Sequence, residues 1–267
     1  MDNRCIGVFD SGLGGLTAVK EIMETLPKEN LIYFGDTGRV PYGSRSEEII
    51  IKYSLQDINF LKSHDVKLIV VACGTVSSVA LPKIAAKCGV PVVGVVEATA
   101  DAAIKATKNN KIGIIGTQGT IKSGAYARHI AEKNSAVKTF SRACPLFVPL
   151  AENGHFDTEV TSLIVKEYLT DIKEMGVDTL ILGCTHYPLL AKSISKFMGD
   201  GVTLINSGAE VAKQIQKKYA SILHDDNRNS TYKYFVSDDV ETFERLASVF
   251  LQRDINGQVT KIDIEKY

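Results

Sequence analysis

A chain of 267 residues is long enough to bury two hydrophobic cores. Its 31 basic and 31 acidic residues cancel, and no basic stripe or acidic tail stands out, which argues against nucleic acid or an anionic membrane as partner. Apolar runs such as Leu68 to Cys73 are far too short to span a bilayer, and Met1-Asp2-Asn3-Arg4 lacks the apolar core of a signal peptide, so a cytoplasmic protein is expected.

Short, continuous runs rich in Val and Ile recur from the N-terminus onward. They are Cys5 to Phe9, Leu31 to Phe34, Leu68 to Ala72, Val92 to Val95, Ile112 to Ile115, Val137 to Phe140, Leu180 to Leu182 and Val202 to Ile205. Continuity rather than alternation predicts parallel strands covered on both faces. Helical spacing appears between them, over Glu47 to Ser63 and Glu159 to Met175, and again in the tail over Ala209 to Tyr219 and Asp239 to Leu251. The predicted class is α/β with right-handed crossovers.

The pattern repeats. Ile6-Gly7-Val8-Phe9 resembles Ile112-Gly113-Ile114-Ile115, and the run ending at Phe34 matches the one ending at Phe140, both 106 residues on. Val66 to Cys73 matches Val177 to Cys184, 111 residues on. Two similar lobes are expected, each a mostly parallel sheet with helices on both faces, the site lying in the crevice between them. The first lobe takes residues 1–97 and 208–267, and the second 98–207.

Ligands of open parallel sheets bind beyond the C-terminal strand ends, and polar clusters stand there. They are Asp10-Ser11-Gly12-Leu13-Gly14-Gly15, Asp36-Thr37 with Pro41-Tyr42-Gly43, Cys73-Gly74-Thr75, Thr117-Gln118-Gly119-Thr120 and Cys184-Thr185-His186-Tyr187-Pro188. The glycine-rich loop is neither a dinucleotide fingerprint, since Thr17 fills the last glycine position, nor a P-loop. Its backbone N–H groups suit a carboxylate, or it is simply a tight strand-to-helix turn.

The five cysteines, Cys5, Cys73, Cys88, Cys144 and Cys184, are odd in number and form no CxxC pair. Neither a disulfide framework nor a metal site is expected. Any one of them alone reads as a small buried apolar residue. Cys73 and Cys184 differ because they end equivalent strands of a repeat. Inverting a stereocentre needs one group to remove a proton from one face of a carbon and another to return one to the opposite face. A thiol with a pKa near ~8.5 needs a partner to ionise at neutral pH. His186 is the candidate partner for Cys184 and Asp10 for Cys73, with Glu152 orienting His186. The plain alternatives are a helix N-cap for Asp10, a turn histidine for His186 and a solvated loop residue for Glu152.

Together, IGVFDSGLGGLTAVKEI, YFGDTGRVPYGSRS, ACGTVSS, IGIIGTQGTI, the PLAE stretch and LGCTHYPLL resemble the glutamate racemases of the aspartate/glutamate racemase superfamily, over about Ile6 to Gly208. The resemblance implies interconversion of L- and D-glutamate without pyridoxal phosphate, metal or nucleotide, the D-isomer feeding peptidoglycan synthesis and so cell shape. It implies Cys73 and Cys184 as the two acid/bases, assisted by Asp10, Glu152 and His186. It implies Asp10, Ser11, Tyr42, Gly43, Thr75, Thr185 and His186 as substrate contacts, and a homodimer as the common assembly. One position departs from the family pattern: the usual Cys-Asn-Thr reads Cys73-Gly74-Thr75, so Gly74 offers substrate only its backbone N–H. Two other readings compete. One is a racemase of a related acidic substrate such as aspartate, and the other a non-catalytic amino-acid-binding protein with inert thiols.

Overall fold

The computed structural model describes residues 2–224 and 229–267. The first part of the chain lays down strands β1 (Ile6–Asp10), β2 (Leu31–Gly35), β3 (Leu68–Val71) and β4 (Val92–Gly94). Between and after them run helices α1 (Leu16–Thr25), α2 (Glu47–Ser63), α3 (Gly74–Val79), α4 (Leu81–Cys88) and α5 (Val95–Ala106). A second sheet follows from β5 (Lys111–Gly116), β6 (Lys138–Ala143), β7 (Thr179–Leu182) and β8 (Thr203–Asn206). Its helices are α6 (Gln118–Ser123), α7 (Ala125–Lys133), α8 (Phe147–Glu152), α9 (Glu159–Glu174) and α10 (Ala191–Met198). The chain then returns through α11 (Ser207–Lys218), β9 (Tyr232–Val236), α12 (Val240–Leu251) and β10 (Val259–Lys261) to the first sheet.

The strand orders are β10-β9-β2-β1-β3-β4 and β6-β5-β7-β8, and the pairings are parallel. Successive strand residues enter opposite cores, as a period of two requires. Leu68 and Val70 join one cluster and Ile69 and Val71 the other; Leu180 and Leu182 face away from Ile181. Each side chain so buried contributes about 1.5–3 kcal/mol. The longer helices start where their caps say. Ser46 accepts a hydrogen bond from the Ile49 N–H ahead of Glu47 and Glu48, and Thr158 does the same for the Thr161 N–H.

The repeat is structural. Order β2-β1-β3-β4 maps onto β6-β5-β7-β8. Ile6 pairs with Leu68, and Ile112 with Thr179, so the offsets of 106 and 111 hold in register. A Cβ on Gly7 would press on Leu61 and Val66 at 3.2 Å, and one on Gly113 would meet Ile172 at 2.9 Å and Val177 at 3.5 Å. Those neighbours are also 111 apart, so glycine recurs in β1 and β5 because α2 and α9 pack equally close over the sheet.

Three expectations need correction. Phe34 pairs with Phe9, but Ile115 pairs with Arg142, so the counterpart of Phe34 is Arg142 and not Phe140. Strand β6 is a half-exposed edge strand and continues past Phe140 through Ser141 and Arg142 to Ala143. Val95 opens α5 instead of ending β4. Strands β9 and β10 extend the first sheet in a tail where only helices were expected. Among the described residues no helix is long and apolar enough to cross a membrane.

Candidate active site

Strands β1, β3, β5 and β7 end on a cavity of about 330 Å³ whose walls come from both sheets. Cys73, just past β3, and Cys184, just past β7, both line it. They are 5% and 7% exposed, so each sulfur is nearly shut off from bulk water yet opens on the same space.

On the second-lobe side, His186 Nδ1 lies 3.8 Å from Cys184 Sγ and its Nε2 lies 2.9 Å from Glu152 Oε1. Burial disfavours the charged ring. The hydrogen bonds to Cys184 and Glu152 outweigh burial and raise His186 to about 10. The ring is therefore an imidazolium that donates from both nitrogens, one toward sulfur and one toward carboxylate. Phe250 of α12 closes its edge at a centroid distance of 5.9 Å.

The first-lobe side is built differently. Cys73 donates to Ser11 Oγ at 3.6 Å. Burial, then the charge on Asp10, pushes Cys73 up to about 12, so it rests as a thiol. Asp10 itself is 1% exposed, and burial raises its carboxyl. It accepts from the Gly12 N–H at 3.2 Å and from the Thr185 hydroxyl at 3.5 Å. Asp10 thus influences Cys73 through its field, while Ser11 makes the direct contact. Glycines bring the two walls together. A Cβ on Gly14 would lie 2.3 Å from Thr185 Oγ1 and 2.5 Å from the His186 ring. The Thr17 hydroxyl donates to the Thr185 carbonyl at 2.7 Å, closing the same seam.

Ser11, Tyr42, Gly43, Gly74, Thr75, Glu152, Thr185 and His186 all line the cavity beside the two cysteines. Asp10 sits just behind this wall. The hydroxyls of two lining residues also meet protein partners. The Tyr42 hydroxyl is turned away to the carboxyls of Asp36 and Asp57. Thr75 Oγ1 is 2.9 Å from Thr117 Oγ1, tying α3 to the end of β5 across the crevice. The Gly43 carbonyl likewise accepts the Gly119 N–H at 3.0 Å. Sequence reasoning placed Thr117 and Gln118 among the strand-end clusters facing the crevice but gave them no role, and both line the cavity. It placed Pro41 at a strand end but missed the apolar wall that Val40, Pro145, Val148 and Pro149 form with it. Proximity of the last three to Glu152 was the available signal. Among the described residues, no His, Cys, Asp and Glu side chains cluster so as to hold a metal ion.

Fold and site define an α/β enzyme with two facing parallel sheets and one cavity at their C-terminal edges. Residues 14–215 match the Asp/Glu/hydantoin racemase family. A glutamate racemase of Geobacter metallireducens is 46% identical over 98% of this chain and 97% of its own. The crystal structure of one from Bacillus anthracis superposes with a TM-score of 0.94 at 40% identity, covering 98% of both chains. That of Francisella tularensis, in complex with D-glutamate, gives 0.92 at 37% identity and covers both chains fully. This chain belongs to the Asp/Glu/hydantoin racemase family, in its glutamate racemase branch.

Proposed function

We propose that the protein interconverts L- and D-glutamate without a cofactor, Cys73 and Cys184 acting as the two acid/bases. The observation that carries this reading is the pair of cysteines at equivalent strand ends, one from each sheet, lining one cavity. Substrate lies between them with its α-carbon facing both. Its carboxylates are received by hydroxyls and N–H groups of Ser11, Gly43, Gly74, Thr75 and Thr185.

In one direction the Cys184 thiolate, beside the His186 imidazolium, removes the α-proton and becomes a thiol. The bonding pair stays on carbon as a carbanion conjugated with the carboxylate. Cys73, resting as a thiol, then protonates the opposite face and becomes the thiolate. One proton leaves carbon and one arrives, and net charge is unchanged. The reverse turnover starts from the other protonation state, with Ser11 hydrogen-bonding the Cys73 thiolate and Asp10 modulating it. The apolar wall of Val40, Pro41, Val148 and Pro149 keeps water from the carbanion. Residues 1–97 with 208–267, and 98–207, serve as the two lobes that admit and enclose the substrate. The D-isomer made in this way in the cytoplasm serves peptidoglycan synthesis.

The test is an incubation of purified, cofactor-free protein with L-glutamate in deuterated water. Loss of optical rotation with one deuterium entering at Cα supports the proposal. Unchanged rotation, or a faster reaction with aspartate in a substrate panel, overturns it. Tight glutamate binding without exchange identifies a binding protein instead.

A further inference from the structure

Two carboxyls lie side by side behind the wall formed by Tyr42 and Gly43. Asp36 follows β2, Asp57 stands on α2, and both side chains are 0% exposed. The Tyr42 hydroxyl is wedged between them. It bonds tightly to Asp36 Oδ2 and lies 3.2 Å from Asp57 Oδ2. Arg39 reaches Asp36 Oδ2 at 2.7 Å and Asp57 Oδ1 at 3.2 Å, and Ser237 Oγ donates to Asp36 Oδ1 at 2.8 Å. Arg39 also bonds Gln56 and the carboxylate of Glu265, and stacks on Tyr53 at 4.1 Å.

Hydrogen accounting decides the protonation state. The Tyr42 hydroxyl has one hydrogen, and Asp36 takes it. An ionised Asp57 Oδ2 would then face an oxygen with no hydrogen left to give, in a dry site beside a second carboxylate. One guanidinium would have to balance two buried negative charges, with Glu265 already drawing on it from the surface. A proton on Asp57 Oδ2 removes the conflict. The order becomes Asp57 to Tyr42 to Asp36, with every oxygen matched and Arg39 balancing Asp36. Burial and the charge on Asp36 raise Asp57 well above its ordinary value, against the pull of Arg39 and of the Tyr42 hydroxyl, and Asp10 adds to them.

We infer that Asp57 is held as a neutral acid that donates to the Tyr42 hydroxyl and fixes the Tyr42–Gly43 wall of the substrate cavity, a positioning residue acting through Tyr42. Gly43 is pinned on its far side by the Gly119 N–H, so a displaced Tyr42 ring distorts the wall between two anchors. The kinetic part of this inference rests on the glutamate reading above; the protonation state does not.

Asp57→Asn keeps a hydrogen-bond donor at this place and cannot ionise. Asp57→Leu keeps the volume and donates nothing. The difference infrared spectrum of parent minus Asp57→Asn at neutral pH is expected to show the carbonyl stretch of one protonated carboxyl. The KM for glutamate is expected to stay near the parent value in Asp57→Asn and to rise about tenfold or more in Asp57→Leu, the scale of one lost buried hydrogen bond, with kcat less affected. Absence of the protonated-carboxyl band overturns the inference even if Asp57→Leu does not fold. So does an Asp57→Asn KM raised as far as that of Asp57→Leu. A parent inactive on glutamate leaves the infrared result standing and faults only the activity.

Discussion

Gly74 and Gly183 meet across the crevice, so close that a Cβ on Gly74 would lie 2.2 Å from the Gly183 carbonyl oxygen. The atom in the way is backbone, and it immediately precedes Cys184. A side chain at position 74 therefore pushes on the chain that carries one sulfur, from the chain that carries the other.

Gly74→Ala is expected to cost about 1–3 kcal/mol of stability by overpacking. It is also expected to reduce kcat/KM on glutamate by about 100-fold, the scale of an ångström-sized misplacement of reacting groups. Urea unfolding and the racemisation assay measure the two effects separately. Parent-like values in both would show that the contact yields without moving Cys184.

That contact marks where sequence reasoning stopped. All eight strand candidates form strands, because runs such as Leu68 to Ala72 must be buried on both faces and no other element suits them so well. The polar residues at strand ends converge because parallel strands end on the same edge. Strand β10 was illegible because three residues, Val259 to Lys261, carry no periodicity. The missing side chain at Gly74 read as a lost substrate contact, whereas space for it is closed by Gly183, 109 positions away. The orientation of Tyr42 was equally hidden, since it depends on Asp57, which sits on α2 among ordinary helical residues.

Glu152→Gln should reshape the pH dependence of stability. His186 has a folded-state pKa of about 10, raised from 6.5. A group raised on folding stabilises the folded state while protonated. The contribution of His186 is complete below pH 6.5 and fades as pH climbs toward about 10. Removing the Glu152 charge lowers the folded pKa, so stability is lost over a narrower and more acidic window. Urea midpoints across this range, compared with the parent, test the shift. Superimposable curves would mean that Glu152 does not hold the ring charged. Racemisation is expected to slow as well, because the ring faces Cys184 with a less firmly held proton.

Lys67 offers a stability change remote from the cavity. Its Nζ lies 2.7 Å from Glu29, both side chains are essentially fully buried, and it also donates to the carbonyls of Asp2 and Ile222 at 3.0 and 2.9 Å. Lys67→Met leaves the buried Glu29 carboxylate without its counter-charge, still holding the His224 N–H, and about 3–5 kcal/mol of destabilisation is expected. Adding Glu29→Gln should recover part of it, giving a non-additive double-mutant cycle. Additive losses would show that the pair is not coupled. Specific activity of the folded fraction should be unaltered, since neither residue approaches the cavity.

Serine in place of either cysteine tests the division of labour between the two faces. A hydroxyl in place of a thiol is a far poorer base, and each single variant is expected to lose about 10²–10⁴-fold in rate. Enantiomers have equal free energies, so kcat/KM stays equal in the two directions for every variant, and the asymmetry must be read from isotopes. Where serine has to abstract the proton, that step limits the rate and α-deuterated substrate shows a large primary effect. Where serine has to donate, the cysteine opposite abstracts readily, the substrate effect shrinks and the solvent effect grows. Cys73→Ser and Cys184→Ser should therefore show opposite patterns for L- and D-glutamate. The same pattern in both variants would mean that one residue serves both faces of the carbon.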